Sequence, residues 1–208
     1  MIPKIIHQIW VGDFKIPNRE LNLIKKTAKI NSSFEHIFWT EAPKLPDIIQ
    51  ERYDRFFSEK QYAMCADLLR LHVITQYGGF YLDVDFDFKE SLDIFTKYDG
   101  VLLYHNDTDM TIPNNVFGMK KNSEVMNFFV DSVKPECDWF GPTWFGKTLK
   151  EYFQLPYDTE HTLVQKNLQA KNIEYFHYNT FENTYAKHLS LYSWSPAIWT
   201  KLSNKEQL

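Results

Sequence analysis

The stretch Gly78-Gly79-Phe80-Tyr81-Leu82-Asp83-Val84-Asp85 joins two glycines, an apolar run and two carboxylates. The apolar residues predict a strand over 80–86, and side chains two positions apart on a strand point to the same side. We therefore expect Asp83 and Asp85 to address one point in space, where their charges repel unless a cation lies between them. A hard divalent cation, Mn²⁺ or Mg²⁺, prefers such oxygen ligands. That ion would also bind a diphosphate, so the pair predicts a nucleotide-sugar site.

An Asp-x-Asp pair also occurs in other contexts. It commonly caps a loop or faces solvent, but here it ends an apolar strand, and ligand sites of open α/β sheets lie at the carboxyl ends of strands. A calcium loop that began at Asp83 would need glycine and glutamate at its sixth and twelfth positions, where the chain has Phe88 and Ile94. Phosphatases with an aspartyl nucleophile usually carry the pair on their first strand, whereas several predicted elements precede it here.

The surrounding sequence predicts an α/β domain. Residues 5–10 and 34–39 are rich in β-forming side chains, and residues 18–30 between them have a helical pattern. This β-α-β start favours a parallel sheet covered by helices. The remaining predicted elements are a short helix within 41–60, helices over 61–77, 123–133 and 143–153, and strands over 101–104, 114–119 and 173–176. No repeat or linker interrupts them, so we expect one Rossmann-like domain over residues 1–208, with a mostly parallel central sheet flanked by helices, in a chain that can be a fragment of a longer one.

Composition limits the classes of partner. The chain has 208 residues, 44% of them apolar, and a net charge of −4, which argues against a general nucleic-acid binder. Cys65 and Cys137 show neither CxxC spacing nor a neighbouring histidine cluster, so a zinc site is not expected. Free thiols are favoured over a disulfide, which indicates a reducing compartment. We find no signal peptide and no run of about 20 apolar residues, so we expect no membrane span and a cytoplasmic location, in the host cytoplasm if the gene is viral.

Three further residues can contribute to a ligand site. Asp67 and Arg70 lie three apart on the predicted helix and share a face. They form either a weak surface ion pair or a pair in which Asp67 accepts hydrogen bonds from sugar hydroxyls and Arg70 holds phosphate or sugar. Trp10, at the end of the first predicted strand, either stacks on a nucleobase or is a half-buried core residue. His7 is expected to pack or hydrogen-bond inside the sheet.

Three blocks of sequence together resemble a known enzyme family. They are Ile5-Ile6-His7-Gln8-Ile9-Trp10-Val11-Gly12, Cys65-Ala66-Asp67-Leu68-Leu69-Arg70 and Tyr77-Gly78-Gly79-Phe80-Tyr81-Leu82-Asp83-Val84-Asp85. The chain is similar in these blocks to glycosyltransferase family 32, the sugar-transferase family with an Asp-x-Asp motif. That family includes yeast-type initiating α-mannosyltransferases and is related to the clostridial glucosylating toxins. The likeness covers residues 1–12 and 61–88 closely, and it suggests a small viral or bacterial member.

The resemblance implies a GT-A fold and a metal-dependent hexosyltransferase that uses Mn²⁺, with Mg²⁺ as the alternative. The donor would be a nucleotide-sugar, with a UDP-sugar favoured and GDP-mannose the other candidate. The acceptor would be a glycan or glycoprotein, and transfer would retain the anomeric configuration. The residues that the resemblance marks as catalytic are Asp67, Arg70, Asp83 and Asp85. Those that it implies for the donor are Ile9, Trp10, Val11, Asp67, Arg70, Tyr81 and Asp83, with Asp83, Asp85 and His188 as metal ligands and Ser193 and Trp194 on the diphosphate.

Two other functions stay open from the sequence. The same acids would serve a metal-dependent phosphohydrolase that acts on nucleotide-sugars, or the chain could be a non-catalytic sugar- or nucleotide-binding module. Asn114, Asn115 and the turn Gly141-Pro142-Thr143 are candidates for the acceptor side. No carboxylate stands out as a covalent nucleophile. The family therefore suggests a front-face reaction, in which the leaving phosphate helps to deprotonate the acceptor hydroxyl.

Overall fold

A six-stranded sheet forms the centre of the computed structural model, which describes residues 1–105, 111–137, 139–156 and 159–190. The strands are β1 (Ile5–Ile9), β2 (Glu35–Trp39), β3 (Gly79–Leu82), β4 (Phe86–Phe88), β5 (Gly100–Tyr104), β6 (Val116–Met119), β7 (Ile173–His177) and β8 (Ala186–His188). The helices are α1 (Asn18–Ile30), α2 (Asp47–Ser58), α3 (Tyr62–Tyr77), α4 (Glu124–Asp131), α5 (Pro142–Tyr152), α6 (His161–Ala170) and α7 (Tyr178–Thr184).

The central sheet is mostly parallel, as predicted. Its strand order is β2-β1-β3-β6-β5-β7, and β4 and β8 form a separate two-stranded sheet. Strand β1 pairs in parallel with β2 and β3, and β5 pairs in parallel with β7. Only β6 runs against its neighbours β3 and β5. The C-terminal ends of β1, β3 and β5 therefore lie on the same edge of the sheet as the beginning of β6.

The sheet divides the core into two layers. Along β3, Tyr81 belongs to the buried cluster that includes α2, α3, α4 and α5, whereas Phe80 and Leu82 belong to the cluster that includes β4 and α7. Helix α3 is buried almost all round, with ten buried residues. Its position against β3 brings side chains of its middle turns to the same face of the sheet as Tyr81.

The predicted strand over 80–86 is wrong in its second half. Strand β3 ends at Leu82, and residues 83–85 form a turn before β4 begins. The backbone N–H of Asp83 still donates to the carbonyl of Asn115, 2.8 Å away, but the chain then leaves the sheet. The reason is that Phe86 and Phe88 are buried in the second core layer, where β4 pairs antiparallel with β8.

Three elements near the C-terminus were not predicted. Helix α6 has a short apolar stripe, with Val164 and Leu168 buried, and α7 and β8 follow β7 with only a few residues between them. These three elements are too short for their residue patterns to indicate helix or strand. Strand β8 also depends on pairing with β4, which is distant in sequence. Among the described residues, no helix combines the length and apolar composition needed to cross a lipid bilayer.

His7 is a neutral, buried component of the sheet. Its Nε2–H donates to the carbonyl of Gly78 at 2.9 Å, and its Nδ1 accepts from the indole N–H of Trp39 at 3.1 Å. Burial lowers the pKa of His7 to about 4, although the hydrogen bond to the Gly78 carbonyl acts in the opposite direction. The expectation that this side chain lies inside the sheet agrees with the structure.

We predict that His7 makes the fold sensitive to acid. The unfolded chain binds a proton at this residue near pH 6.5, whereas the folded chain does so only near pH 4, so the folded state loses stability as the pH falls through this window. Relative to His7→Gln, the free energy of unfolding should drop by about 3 kcal/mol between pH 7 and pH 4. Urea unfolding of the metal-free proteins at both pH values measures this difference, and a difference independent of pH would contradict the prediction.

We also predict that Gly79 cannot be replaced. Its φ is +100°, and a Cβ there would lie 2.5 Å from the carbonyl oxygen of Ile5 on the neighbouring strand. Gly79→Ala should lower the free energy of unfolding by about 3 kcal/mol in urea titrations. Asn122→Gly is the matched control because Asn122 also has a positive φ, +52°, and this change should alter stability by less than about 1 kcal/mol. Equal effects of the two changes would contradict the argument.

Candidate active site

Three potential metal ligands meet beyond the C-terminal end of β3. Ligand atoms of Asp83, Asp85 and His188 all lie within 4.8 Å of one another. His188 Nε2 is 3.2 Å from Asp85 Oδ1. The pairing of β4 with β8 places Phe86 opposite His188, and this register brings a late segment of the chain back to the two acids. Asp83 and Asp85 therefore converge from a turn and not from one extended strand.

The donor set fits a divalent cation. Two carboxylates and one imidazole combine hard oxygen ligands with a nitrogen ligand that first-row divalent ions accept. Ligands on opposite sides of one such ion are separated by about 4–5 Å, so the three groups need only small movements to bind the same ion. An ion pair between His188 and Asp85 would be complete without Asp83. A cation bound by all three groups accounts for the position of Asp83 beside them.

His188 is oriented by several contacts. Its ring stacks on Phe86 with 4.8 Å between centroids, its Nδ1 is 3.2 Å from Ser190 Oγ, and its backbone N–H donates to Glu182 Oε1 at 2.8 Å. Burial alone would lower the pKa of His188, but the hydrogen bond and the charge of Asp85 outweigh it and raise the pKa. A metal ion at this position would compete with the proton for Nε2.

Asp67 and Arg70 form a buried ion pair beside the three ligands. Arg70 Nη2 is 3.1 Å from Asp67 Oδ1 and 3.5 Å from Asp83 Oδ1, and only 7% and 9% of the Arg70 and Asp67 side chains are exposed. The alternative of a surface ion pair is therefore wrong. Arg70 also donates from Nη1 to the carbonyl of Asn114 at 2.7 Å and lies 4.3 Å from the centre of the Tyr81 ring.

The charges of this cluster favour an additional cation. Burial raises the pKa of Asp67 to about 6 and also raises the pKa of Asp83, while the charge of Arg70 opposes both shifts. Burial would lower the pKa of Arg70, but Tyr81, Asp67 and Asp83 together raise it above its ordinary value. Asp67, Asp83 and Asp85 thus surround one permanent cation, and the excess negative charge lies on the side of His188.

Tyr81 supports Asp83 from beneath. The ring is 1% exposed, and its hydroxyl donates to Asp83 Oδ1 at 2.5 Å. Burial raises the pKa of Tyr81 well above its ordinary value, which keeps the hydroxyl protonated and able to donate. Its place in the core means that Tyr81 reaches a ligand only through Asp83.

Asn114 and Asn115 extend the site in a way that the sequence did not indicate. The Asn114 amide donates to Asp67 Oδ1 at 3.0 Å and to the carbonyl of Phe140 at 3.2 Å. The Asn115 amide donates to the Tyr178 hydroxyl at 3.0 Å. Both residues precede β6, whose antiparallel pairing with β3 carries them to the ligands. The sequence placed this Asn-Asn pair inside the strand predicted over 114–119, as candidates for the acceptor side, whereas the strand begins only at Val116.

The residues expected around a nucleobase lie at the end of β1. Ile9 and Val11 are buried, whereas Trp10 is half-buried and its indole N–H donates to the carbonyl of Phe14 at 2.8 Å. Ser193 and Trp194 lie outside the described residues. The contacts of Tyr178, Glu182 and Ser190 with the site were missed because α7 and β8 were not predicted.

Comparison with protein families identifies the region that holds most of these residues. Residues 17–102 match the family described as "Glycosyltransferase sugar-binding region containing DXD motif". This range includes Asp67, Arg70, Asp83 and Asp85. The same range contains Asp83-Val84-Asp85, the Asp-x-Asp sequence that the sequence analysis singled out.

Several curated relatives are named as glycosyltransferases or mannosyltransferases. An "Uncharacterized glycosyltransferase L373" of Acanthamoeba polyphaga mimivirus is 25% identical over 95% of this chain and 86% of its own length. Inositol phosphoceramide mannosyltransferase 3 of Schizosaccharomyces pombe is 30% identical over 58% of this chain. Mannosyl phosphorylinositol ceramide synthase SUR1 of Saccharomyces cerevisiae is 28% identical over the same share. The chain spans 34% of the length of each of these two yeast proteins.

Solved structures share the fold. The PaToxG glycosyltransferase superposes with a TM-score of 0.61 at 20% identity, covering 74% of this chain and 70% of that one. The glycosyltransferase domain of the YGT toxin gives 0.51 at 11% identity, covering 81% and 68%. Together with the mostly parallel sheet flanked by helices, these neighbours confirm the GT-A fold that the resemblance implied.

We predict that Arg70 is essential for the stability of the site. Arg70→Met leaves Asp67 and Asp83 buried without their cation and should lower the free energy of unfolding by about 3 kcal/mol at pH 8. Arg55→Met on α2 is the matched control because Arg55 pairs with Glu59 at 3.5 Å in an exposed position, and it should cost less than about 1 kcal/mol. Urea unfolding measures both. Similar small losses would show that Arg70 does not compensate the buried acids.

Proposed function

Because residues 17–102 match the family described as "Glycosyltransferase sugar-binding region containing DXD motif", we propose that the chain transfers a hexose from a nucleotide-sugar to a hydroxyl of a glycan or glycoprotein, with Mn²⁺ as its cofactor. The observation that carries the proposal is the convergence of Asp83, Asp85 and His188 beside the buried Asp67–Arg70 pair. In this arrangement the three candidate metal ligands lie beside a buried, charged pair whose side chains are held in place by hydrogen bonds.

In this proposal Asp85 and His188 hold the metal directly, and Asp83 contributes both to the metal and to the ribose. A bound divalent ion supplies charge neutralisation for the leaving diphosphate. Tyr81 fixes the orientation of Asp83 through its short hydrogen bond, and the stack on Phe86 fixes His188. Mg²⁺ is the alternative ion because the same ligands suit it.

Asp67 is the residue proposed to recognise the donor sugar. Arg70 and Asn114 hold its carboxylate in one orientation, so sugar hydroxyls that donate to it meet a preorganised acceptor. Arg70 donates to Asn114 and Ala66 and pairs with two acids. Its role is therefore to position Asp67 and Asp83 and to add positive potential, and direct contact with phosphate is not needed.

The donor base is proposed to stack on Trp10, with backbone contacts at Ile9 and Val11. A UDP-sugar is favoured, and GDP-mannose is the alternative, which the names of the yeast mannosyltransferase relatives support. Ser193 and Trp194 are proposed to cover the diphosphate. A reducing compartment such as the cytoplasm suits the protein because Cys65 and Cys137 are free thiols.

Transfer is proposed to retain the anomeric configuration by a front-face reaction. A double displacement would need a carboxylate free to attack the anomeric carbon. Asp67 is engaged by Arg70 and Asn114, and Asp83 by Tyr81 and Arg70. Both acids therefore fit binding roles, and the leaving phosphate is the group proposed to take the proton of the acceptor hydroxyl.

We predict that Asp85→Ala lowers metal-dependent turnover about 100-fold or more, because it removes a ligand of the ion that neutralises the leaving group. The assay measures release of nucleoside diphosphate from UDP-glucose, UDP-galactose, UDP-N-acetylglucosamine and GDP-mannose, with Mn²⁺ and with EDTA. Thermal unfolding of the variant checks that the fold is intact.

Asp87→Ala is the matched control for this experiment. Asp87 lies two residues further on, outside the ligand cluster, and pairs with Lys26. It should retain the turnover of the wild type. Unchanged turnover in Asp85→Ala, or turnover by the wild type that EDTA leaves intact, would overturn the assignment of the metal site.

A further inference from the structure

Trp139 is a large, solvent-exposed apolar residue that lies near the candidate active site in the chain, next to Phe140. Its surface is 53% exposed. A single exposed apolar residue is common in soluble proteins and needs no explanation by itself. What distinguishes Trp139 is that its ring and its backbone are both fixed, so the exposed indole is a preformed surface.

The Nε1–Cζ2 edge of the indole packs against Gly141. A Cβ at Gly141 would lie 2.6 Å from each of three indole atoms, Cε2, Cζ2 and Nε1. A side chain at position 141 would therefore displace the indole. Because glycine has no side chain, this edge of the ring packs close to the backbone, while 53% of the Trp139 surface stays exposed.

The backbone on both sides of Trp139 is anchored. The carbonyl of Cys137 accepts from the guanidinium of Arg52, and the Cys137 thiol is 3.3 Å from the carbonyl of Trp139. On the other side, Phe140 is 1% exposed and packs against Phe56 with 6.3 Å between ring centroids. These contacts reduce the conformational entropy that the exposed ring would lose on binding.

The anchored segment is connected to the donor side of the site. The carbonyl of Phe140 accepts from the amide of Asn114, and the same amide donates to Asp67. Trp139 is therefore the neighbour in sequence of Phe140, whose carbonyl is joined through the Asn114 side chain to Asp67. Asp67 is the carboxylate proposed to bind the donor sugar. These two hydrogen bonds place the backbone next to Trp139 close to the Asp67 carboxylate.

We propose that Trp139 is the stacking platform for a hexose ring of the acceptor. The inference rests on the proposed function, since it assigns the acceptor side of the same site. The apolar C–H face of a pyranose matches a flat aromatic surface in size, and aromatic residues provide contact area at low entropic cost. Lys134 and Glu136, of opposite charge and both exposed, lie close by in sequence, whereas a membrane or protein contact would favour a wider apolar patch.

The direct test follows the indole N–H of Trp139 by NMR in ¹⁵N-labelled protein. Trp139→Phe assigns the signal by its disappearance. The probes are methyl glycosides of glucose, galactose, mannose and N-acetylglucosamine, with sorbitol as the acyclic control. At least one glycoside should shift the signal in a saturable way, and sorbitol should not. If no glycoside shifts the signal, or sorbitol shifts it equally, the platform is wrong.

Substitutions test the contribution of the ring. Trp139→Ala should weaken binding of the active glycoside about tenfold, as expected for the loss of one aromatic contact, and Trp139→Phe should restore part of it. Saturation-transfer difference signals of the glycoside measure both. Leu163→Ala is the matched control because Leu163 is 44% exposed on α6, away from this segment. An equal loss in the control, or no loss in Trp139→Ala, would contradict the proposal.

Two further measurements separate this inference from the proposed function. Stabilisation of the wild type by a nucleotide-sugar with Mn²⁺ in thermal unfolding reports the donor site alone. If a glycoside shifts the Trp139 signal but no donor stabilises the fold, the platform stands and the proposed function fails. If a donor stabilises the fold but no glycoside shifts the signal, the platform fails. If phosphatidylcholine–phosphatidylserine vesicles broaden the Trp139 signal and no glycoside affects it, the sugar platform is wrong. Trp139 would then contact a lipid surface.

Discussion

One buried guanidinium holds the site together. Arg70 lies within 3.5 Å of carboxylates from α3 and from the turn after β3, and it also donates to the carbonyl of Asn114 before β6. These segments meet at one edge of the sheet, where three acids would otherwise repel one another. The charge of Arg70 stabilises Asp67 and Asp83, whereas Asp85 lies beside His188. Within this cluster, the negative charge that Arg70 does not balance lies beside His188, and this is where we propose that a cation binds.

The turn after β3 determines which groups reach that point. Had the strand continued to Phe86, as its apolar residues suggest, Asp83 and Asp85 would have lain on one face of the main sheet. Burial of Phe86 and Phe88 in the opposite layer instead turns the chain out of the sheet, and pairing with β8 brings in His188. Hydrophobic packing of two phenylalanines thus completes the ligand set.

Prediction from sequence succeeded where the signal was local. The β-α-β start, helix α3 and the two acids follow from periodicity and from Gly78-Gly79, whose positive φ values end the helix. Prediction failed where the structure depends on contacts between residues that are distant in sequence. Such contacts determine where β3 ends and where α7 and β8 form. They also bring Asn114 to Asp67, 47 residues away. His188 came from the family resemblance and not from any local pattern.

The proposed site combines residues from inside and outside the family match. The family match ends at residue 102, and it contains the DXD acids, Asp67 and Arg70. Asn114, Phe140 and His188 come from later segments, and they reach the first set through side-chain contacts and the β3–β6 and β4–β8 pairings. The later segments therefore do not act on the acceptor side alone. Substitution of Asn114 or His188 would also remove a partner of Asp67 or Asp85, although both residues lie outside the family match.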